Sequence, residues 1–360
     1  MPNALKLVPI FVAVVLATTA ADSIAAPLAP AGFKLSTFAK SSSKQLTSPD
    51  DIALLGGDIF VGWQNGVGTK GEANAKTGQT QSEVIEYSPK GKLVRHWSLK
   101  GKVDGLGGDQ AGGMVIATVN EDGNSSLYTI KPTAPAGTQV VHYRYSPRPD
   151  AKSSGGVSTG GGTDAVVVAG GAIYLSASNP AGKGATAAFR VHLDSHKDVA
   201  HLSATFADDV HALDALTGGA VTLALTDPDS NAQVPDSSPR FGGDFVLDSQ
   251  ADQQLVFASG LGTSNRSLTL LNLTHGASSA GVDDIRWARS GGGALYIVDL
   301  KGNVVYKLKG PFKAGQAFGS LDTVGSASDT TEVDTLDLHT GALTPFVTGL
   351  KQPKGLLWAG

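Results

Sequence analysis

The sequence predicts an all-β protein, a β-propeller with six blades preferred over seven, from three observations. Short apolar runs rich in Val, Ile and Tyr alternate with turns of Gly, Asn and Asp, which is typical of strands joined by tight turns. The pattern is clearest in Asp284 to Lys307, and its plan of paired Asp, apolar run, Gly-Gly and second apolar run recurs along the chain. The 360 residues include 46 Gly and only 6% aromatic residues, which favours short strands over long helices. Self-similar units of roughly 40–60 residues, each with about four short strands, indicate a propeller.

The repeated plan sets the expected order of strands. The units are, in chain order, Ser48 to Trp63, Gly112 to Ile130, Gly162 to Ser178, Asp208 to Asp227 and Gly242 to Gly260. Three candidate outer hairpins lie between them: Ser82 to Tyr87 with Lys92 to Leu99, Ala188 to Leu193 with Val199 to Phe206, and Glu332 to Leu338 with Ala342 to Val347. Because the units differ in length, we expect insertions at Gly66 to Thr80 and at Asp227 to Pro239. A strand near Phe33 is expected to close the ring beside the C-terminal strands, since an open propeller leaves exposed edges.

The N-terminus predicts export. Leu7 to Ala21 is almost continuously apolar, follows the positive charge of Lys6, and is followed by small residues suited to cleavage near Ala25. The alternative is a membrane anchor, but the run is shorter than the ~20 residues of a spanning helix. We therefore expect residues 1–26 to be a cleaved signal peptide and residues 27–360 to be one propeller domain, secreted or periplasmic.

Composition limits the partners. The formal net charge is −4 and charged residues make up 17% of the chain, whereas nucleic-acid binding needs clustered Lys and Arg. The chain has no Cys, which excludes thiol chemistry and cysteine metal sites and agrees with a core large enough to fold without disulfides. We expect a monomer without stable membrane insertion that binds a small molecule, a peptide or a surface partner at the channel mouth.

Aspartates directly before the apolar runs are the main candidate site residues. They are Asp51, Asp109, Asp164, Asp209 and Asp284. Equivalent positions of successive blades surround one channel mouth, so we expect Asp51, Asp164, Asp209 and Asp284 to converge there. A ring of carboxylates offers the oxygen ligands that Ca²⁺ prefers, and Ca²⁺ is the one cofactor that the sequence suggests. The alternative is that each Asp caps a turn by accepting backbone N–H bonds.

Two further features are weighed in the same way. Trp63 ends a strand at the expected insertion and is a candidate ligand-binding residue, with packing between blades as the alternative. Asp227 to Asn231 alternates oxygen-bearing side chains, but it lacks the Gly and Glu of a helix–loop–helix calcium site. We therefore expect a polar surface loop there.

Two stretches resemble a known repeat. Val282 to Val305 and Gly341 to Leu356 are similar to NHL-type propeller repeats, which also build SMP-30/gluconolactonase-like and streptogramin-lyase-like propellers. The resemblance implies a blade, and for SMP-30-like lactonases it implies a metal-binding Glu in the first inner strand. The corresponding stretch Ile52 to Leu55 has no acidic residue, and no positions match the His/Glu/His set of the lyases.

Two functions follow as hypotheses. The first is an exported, non-catalytic binding or scaffold propeller. The alternative is a metal-dependent hydrolase or lactonase of the SMP-30-like type, in which channel-mouth aspartates hold a cation that activates water. No catalytic residue is identified by the sequence alone.

Overall fold

Every regular element of the structure, a computed structural model, is a β-strand. Residues 26–149, 161–180, 182, 184–321 and 331–360 are described. In this part of the chain we find no helix with the length and apolar character needed to cross a bilayer. The predicted signal peptide lies outside the described residues except for Ala26, and it stays a prediction.

The strands are short, and most have three to nine residues. In chain order they are β1 (Lys34–Lys40), β2 (Pro49–Leu55), β3 (Asp58–Trp63), β4 (Gln81–Tyr87), β5 (Leu93–Lys100), β6 (Val103–Asp109), β7 (Met114–Val119), β8 (Ser126–Ile130), β9 (Val140–Ser146), β10 (Thr163–Ala169), β11 (Ala172–Ala177), β12 (Thr186–Asp194), β13 (Val199–Ala207), β14 (His211–Asp214), β15 (Ala220–Thr222), β16 (Pro228–Gln233), β17 (Phe245–Ser249), β18 (Gln254–Ser259), β19 (Ser267–Asn272), β20 (Thr274–His275), β21 (Ser278–Ser279), β22 (Asp284–Trp287), β23 (Ala294–Asp299), β24 (Val304–Lys309), β25 (Ala317–Leu321), β26 (Glu332–Leu336), β27 (Ala342–Val347) and β28 (Pro353–Ala359).

The described strands form five hydrogen-bonded sheets built from four-stranded antiparallel units. From the inside outwards the units are β2-β3-β4-β5, β6-β7-β8-β9, β10-β11-β12-β13, β16-β17-β18-β19, β22-β25-β26-β27 and β28-β23-β24-β1. We number these blades 1 to 6 in that order. Blades 2 and 3 merge into one eight-stranded sheet through the parallel pair β9–β13, and hairpins β14–β15 and β20–β21 extend blades 4 and 5. The predicted β-propeller class is confirmed.

The inner strands form a closed ring. Each of β2, β6, β10, β16, β22 and β28 packs against the next, and β28 packs against β2. The N-terminal strand β1 is the outer strand of blade 6, where Lys34 pairs with Lys309, and the C-terminal β28 is its inner strand. The two ends of the described chain therefore share one sheet, which leaves no unpaired outer edge on β24.

The segment that defined the repeat is divided between two blades. Strand β22 pairs with β25 of blade 5, whereas β23 and β24 form a hairpin that pairs with β28 of blade 6. The hairpin turn is as predicted, because Asp299 Oδ1 accepts a hydrogen bond from Gly302 N at 3.1 Å and Asn303 has a positive φ of 50°. The prediction of one continuous unit was wrong, since adjacent apolar runs do not say which sheet each run joins.

Two other assignments need correction. Asp208 to Asp227 supplies the peripheral hairpin β14–β15 instead of an inner strand, and Asp227 to Pro239 contains the inner strand β16 instead of a surface loop. The three predicted outer hairpins are confirmed as β4–β5, β12–β13 and β26–β27. Polar side chains line the channel, so an inner strand of a propeller does not need the apolar pattern that was expected.

Blade 2 begins with a glycine-rich inner strand that the sequence pattern concealed. In β6, a Cβ on Gly108 would lie 2.0 Å from Leu54 O of blade 1, and one on Gly105 would lie 2.6 Å from Asp164 O of blade 3. The close approach of neighbouring inner strands requires glycine at these positions. Strand β6 ends at Asp109, whereas the sequence analysis expected Asp109 to precede an inner strand.

Candidate functional site

A register irregularity occurs at the same point of the inner strands. Two residues of each strand face one residue of its neighbour, and the pairs are Asp50–Asp51, Asp104–Gly105, Asp164–Ala165, Asp229–Ser230 and Lys354–Gly355. In β22 the equivalent pair is Asp283–Asp284, because both residues face Ser320. Such bulges bend a strand and redirect a side chain.

Hydroxyl groups on the second strands complete these bulges. Thr118 Oγ1 accepts a hydrogen bond from Gly105 N at 2.8 Å, and Ser176 Oγ accepts one from Ala165 N at 2.9 Å. In blade 5, Ser320 Oγ accepts from Asp284 N at 3.0 Å. These backbone N–H groups cannot pair with the neighbouring strand because of the bulges. In three blades a Ser or Thr hydroxyl group of the same blade accepts their hydrogen bonds instead.

The first residue of each bulge faces one cavity of about 470 Å³ at the channel mouth. These six residues, which we call the bulge ring, are Asp50, Asp104, Asp164, Asp229, Asp283 and Lys354. Further charged residues that line the cavity are Asp51, Lys102, Glu121, Asp122, Asp227, Asp284 and Arg286. Ten carboxyl groups therefore meet three basic groups in one concave site.

The second residues of two bulges connect neighbouring inner strands. Asp284 Oδ2 accepts a hydrogen bond from Leu356 N at 2.6 Å, and Asp51 Oδ2 accepts one from Leu106 N at 2.6 Å. Asp284 Oδ1 also accepts from Ser230 Oγ at 2.5 Å. These carboxylates are occupied by donors of the protein, which supports the capping role considered for them from the sequence.

Three basic side chains offset part of the negative charge. Lys102 Nζ lies 2.8 Å from Asp104 Oδ1 and also contacts Glu121, while Lys354 forms an ion pair with Asp283. Arg286 Nη1 lies 2.9 Å from Asp284 Oδ1, which makes a third ion pair. Arg286 also lines a second cavity at the other end of the inner strands, so its side chain lies between the two ends of the channel.

Burial keeps protons on several of these carboxyl groups at higher pH than usual. It raises the pKa of Asp50 to about 7, against the lowering effect of Lys102 and Lys354. Burial and the neighbouring Asp284 raise the pKa of Asp51 to about 8. Burial also raises the pKa of Asp227 to about 6. Carboxyl groups that exchange protons near neutral pH are suited to acid–base chemistry.

Three members of the bulge ring have carboxylates that receive no hydrogen bond from the described residues: Asp50, Asp164 and Asp229. Burial raises the pKa values of all three. Asp229 further raises that of Asp164, and Asp283 further raises that of Asp229. Polar groups that face a cavity without protein partners are available to water or a ligand.

No three His, Asp or Glu side chains of the described residues come close enough at the channel mouth to share one cation. Oxygen ligands suit Ca²⁺, and bonds of about 2.4 Å place opposite ligands about 4.8 Å apart. Among the described residues, the one set of three His, Asp or Glu side chains with ligand atoms within 4.8 Å of one another lies elsewhere, at His275, Glu332 and Asp334. We therefore derive no chemical step through a metal at the channel mouth.

The predicted site residues separate into two groups. The structure brings Asp51, Asp164 and Asp284 to the cavity, although Asp164 occupies the first bulge position and the other two occupy the second. Asp209 lies outside it, because the segment after it is the peripheral β14. Asp109 lies at the far end of β6, where its Oδ1 accepts from Gly112 N at 2.9 Å.

Trp63 also lies away from the cavity. Its side chain is fully buried and packs with Ile59, Tyr87 and Tyr296 between blades 1 and 6. Trp63 therefore packs between blades, which is the alternative that the sequence analysis left open. As the last residue of β3, Trp63 pairs with Pro49 one residue before the bulge of blade 1, so it supports the strand that carries Asp50.

Of the bulge ring, sequence reasoning selected Asp164 only. In two further bulges it selected the second residue, Asp51 or Asp284, instead of the first, and it missed the bulges of Asp104, Asp229 and Lys354. The signal was a motif of four consecutive residues. Pro, Thr or Val comes first, Asp or Lys second, a small residue third, and an apolar or amide residue fourth. Val103 to Leu106, Pro228 to Asn231 and Pro353 to Leu356 all follow it. The motif is too short and too common to be recognised without the strand pairing.

Comparison with known proteins finds solved structures that resemble this chain at low sequence identity. No protein-family model matches the chain, and no curated protein matches it by sequence. A periplasmic gluconolactonase of Pseudomonas aeruginosa is 12% identical, with 87% of this chain and 88% of that chain covered and a TM-score of 0.48. A gluconolactonase of Xanthomonas campestris is 13% identical, with coverages of 91% and 83% and a TM-score of 0.45.

A third solved structure has no assigned activity. A protein of unknown function from Bacteroides caccae is 9% identical, with coverages of 86% and 85% and a TM-score of 0.48. Similarity at these identities concerns the fold, so the chemistry of this chain has to be argued from its own residues.

Proposed function

We propose that the protein is a hydrolase that opens a small, uncharged, polyhydroxylated ester, such as a sugar lactone, at the acidic channel mouth. The observation that carries the proposal is the bulge ring, in which Asp50 faces a cavity that the ammonium groups of Lys102 and Lys354 also line, and both groups act on its pKa. An acid–base group beside cationic groups is the minimum arrangement for water attack on an ester carbonyl.

Asp50 is the proposed general base. Its carboxylate has no hydrogen-bond donor among the described residues, and its pKa of about 7 suits proton abstraction from water near neutral pH. Lys102 and Lys354 would stabilise the negative charge that develops on the carbonyl oxygen. When this tetrahedral intermediate collapses, the ring C–O bond breaks, and the protonated Asp50 returns its proton to the leaving alkoxide oxygen. Both lysines are held in place by carboxylates, Asp104 for Lys102 and Asp283 for Lys354.

Charge and size define the substrate class. A cavity of about 470 Å³ accommodates a small molecule, and its many carboxylate oxygens can accept hydrogen bonds from hydroxyl groups. Ten carboxyl groups against three basic groups disfavour phosphorylated or carboxylated substrates. Hydrolysis of a lactone creates a carboxylate, which the same charge would repel, so product release is favoured.

The proposal is tested by following proton release from a panel of compounds in a chelating buffer. Neutral sugar lactones and simple esters are expected to be hydrolysed, whereas phosphorylated analogues of the same lactones are not. Because no catalytic step depends on a metal, EDTA is expected to leave the rate unchanged. Absence of turnover with every neutral lactone and ester would refute the hydrolase.

A second candidate function is binding without catalysis, which the excess of carboxyl groups favours when the ligand is a small cation or a basic peptide. Calorimetry with polyamines and short Lys-rich peptides tests this function. Salt-sensitive binding at one site, together with no turnover in the panel above, would support the binding protein over the hydrolase.

A further inference from the structure

A second cluster of chemistry-bearing residues lies in the extended sheet of blade 5, outside the channel-mouth cavity. His275 belongs to the short hairpin β20–β21 that follows blade 4, and Glu332 and Asp334 lie two residues apart on β26 of blade 5. His275 Nε2 is 3.2 Å from Glu332 Oε1 and 3.6 Å from Asp334 Oδ2. None of the three residues lines the channel-mouth cavity.

Asp334 lacks the partners that a buried carboxylate needs. Its side chain is 0% exposed, and neither carboxylate oxygen receives a hydrogen bond from the described residues. Among the described residues, Glu332 Oε1 has no polar partner other than His275. A carboxylate buried without donors is disfavoured unless a proton or a bound cation neutralises it.

We propose that His275, Glu332 and Asp334 bind one divalent metal ion of the Zn²⁺ or Mn²⁺ type. Bonds of about 2.1 Å to a tetrahedral ion place neighbouring ligand atoms about 3.4 Å apart. The two N–O distances of 3.2 and 3.6 Å bracket that value. One imidazole nitrogen and two carboxylates form a donor set that suits these ions better than the all-oxygen set of Ca²⁺.

The ion would act as a clip within the extended sheet of blade 5. Strand β20 is held to blade 5 by a short parallel pairing, in which Thr274 pairs with Ala342 and His275 with Leu343. A metal bound by His275 of β20 and by Glu332 and Asp334 of β26 would hold this hairpin against the sheet, because it would link the two strands on either side of β27. The chain has no Cys, so such a clip would supply a cross-link that disulfides cannot supply here.

The competing explanation is a protonated His275 that forms an ion pair with the two acids. His275 is 21% exposed, so both a proton and a metal ion can reach it from solvent. An ion pair predicts no bound metal and no specific response to Zn²⁺ or Mn²⁺. The two explanations are therefore separated by direct measurement of the metal.

The experiment measures metal binding and thermal unfolding of the full protein after dialysis against a chelator. We expect Zn²⁺ or Mn²⁺ to bind with a stoichiometry of one and to raise Tm, and His275→Ala to weaken this binding at least tenfold. Asp334→Asn removes the buried charge, so this variant is expected to fold, to keep its Tm without metal and to lose the metal-induced rise. His339→Ala, at an exposed histidine of the same blade, is the matched control and is expected to respond as the wild type does.

Two outcomes would overturn the proposal. One is the absence of any stoichiometric binding of either ion to the wild-type protein. The other is unchanged binding in both His275→Ala and Asp334→Asn, which would place the ion elsewhere. The channel-mouth variant Asp50→Asn should bind the ion normally, so failure of the hydrolase proposal leaves this one testable.

Discussion

Asp284 Oδ2 accepts the backbone N–H of Leu356 at 2.6 Å, and this hydrogen bond joins the inner strand of blade 5 to that of blade 6. Asp51 makes the equivalent contact with Leu106 between blades 1 and 2. Both residues were expected from the sequence at the channel mouth. Both also line the cavity, but their carboxylates are engaged in holding neighbouring blades together, whereas three first residues of the bulges, Asp50, Asp164 and Asp229, receive no such hydrogen bond.

Replacement of Asp284 is expected to destabilise the fold. In Asp284→Asn the carboxylate that receives Leu356 N, Ile285 N and Ser230 Oγ is replaced by an amide with one acceptor oxygen. We expect the free energy of unfolding to fall by about 1–3 kcal/mol in urea denaturation. Asp122→Asn, at the exposed rim of the same cavity, should change it by less than about 0.5 kcal/mol. Equal stability of Asp284→Asn and the wild type would remove the proposed link between blades.

Replacement of Asp50 is expected to abolish hydrolysis without loss of structure. Asp50→Asn removes the proposed base, so kcat should fall by at least about 100-fold on any lactone that the wild type hydrolyses. The melting temperature should be maintained, because the Asp50 carboxylate receives no protein hydrogen bond. Asp209→Asn, which changes an aspartate outside the cavity, should retain full activity. A kcat of Asp50→Asn within a few-fold of the wild-type value would exclude Asp50 as the base.

Stability is expected to decrease as pH rises from about 4 to about 8. The pKa values of Asp50, Asp51 and Asp227 are raised to about 7, 8 and 6 in the folded protein. The folded state then binds more protons than the unfolded state above about pH 4, so the free energy of unfolding falls with pH. Urea denaturation at pH 5 and pH 8 in EDTA measures the slope.

A double variant serves as the control for this pH dependence of the free energy of unfolding. The double variant Asp50→Asn/Asp227→Asn has two fewer groups that lose protons in this window, so its stability should depend less on pH. A stability of the wild type that is constant or increases between pH 5 and pH 8 would contradict the raised pKa values.

A methyl group on an inner-strand glycine is expected to disturb the channel. In Gly105→Ala the new Cβ would lie 2.6 Å from Asp164 O and 2.8 Å from Thr118 Oγ1. We expect a loss of about 1–3 kcal/mol or more in the free energy of unfolding, because blades 2 and 3 must move apart. Gly292→Ala is the matched control, since no atom lies within 4 Å of its Cβ position. Similar stabilities of the two variants would show that the inner strands are not tightly apposed.

The sequence by itself determined the local structure of this protein. Apolar runs such as Ala294 to Val298, followed by the turn at Gly302 and Asn303, were sufficient to predict a hairpin, because strand and turn preferences depend on neighbouring residues. The predicted outer hairpins and the propeller class followed from the same local signals. Three of the acidic residues in the cavity, Asp51, Asp164 and Asp284, were also found in this way.

The tertiary structure decided which strands share a blade and which side chains face the channel. No local signal distinguishes β22, which joins blade 5, from the adjacent β23, which crosses to blade 6. Glycine-rich β6 and polar β16 form inner strands because of close approach and channel lining, which are properties of the assembled ring. The bulges then place Asp104, Asp229 and Lys354 in one ring from strands far apart in sequence. The physical reason is that side-chain direction in a sheet depends on register, and register is set by pairing partners that the sequence pattern does not name.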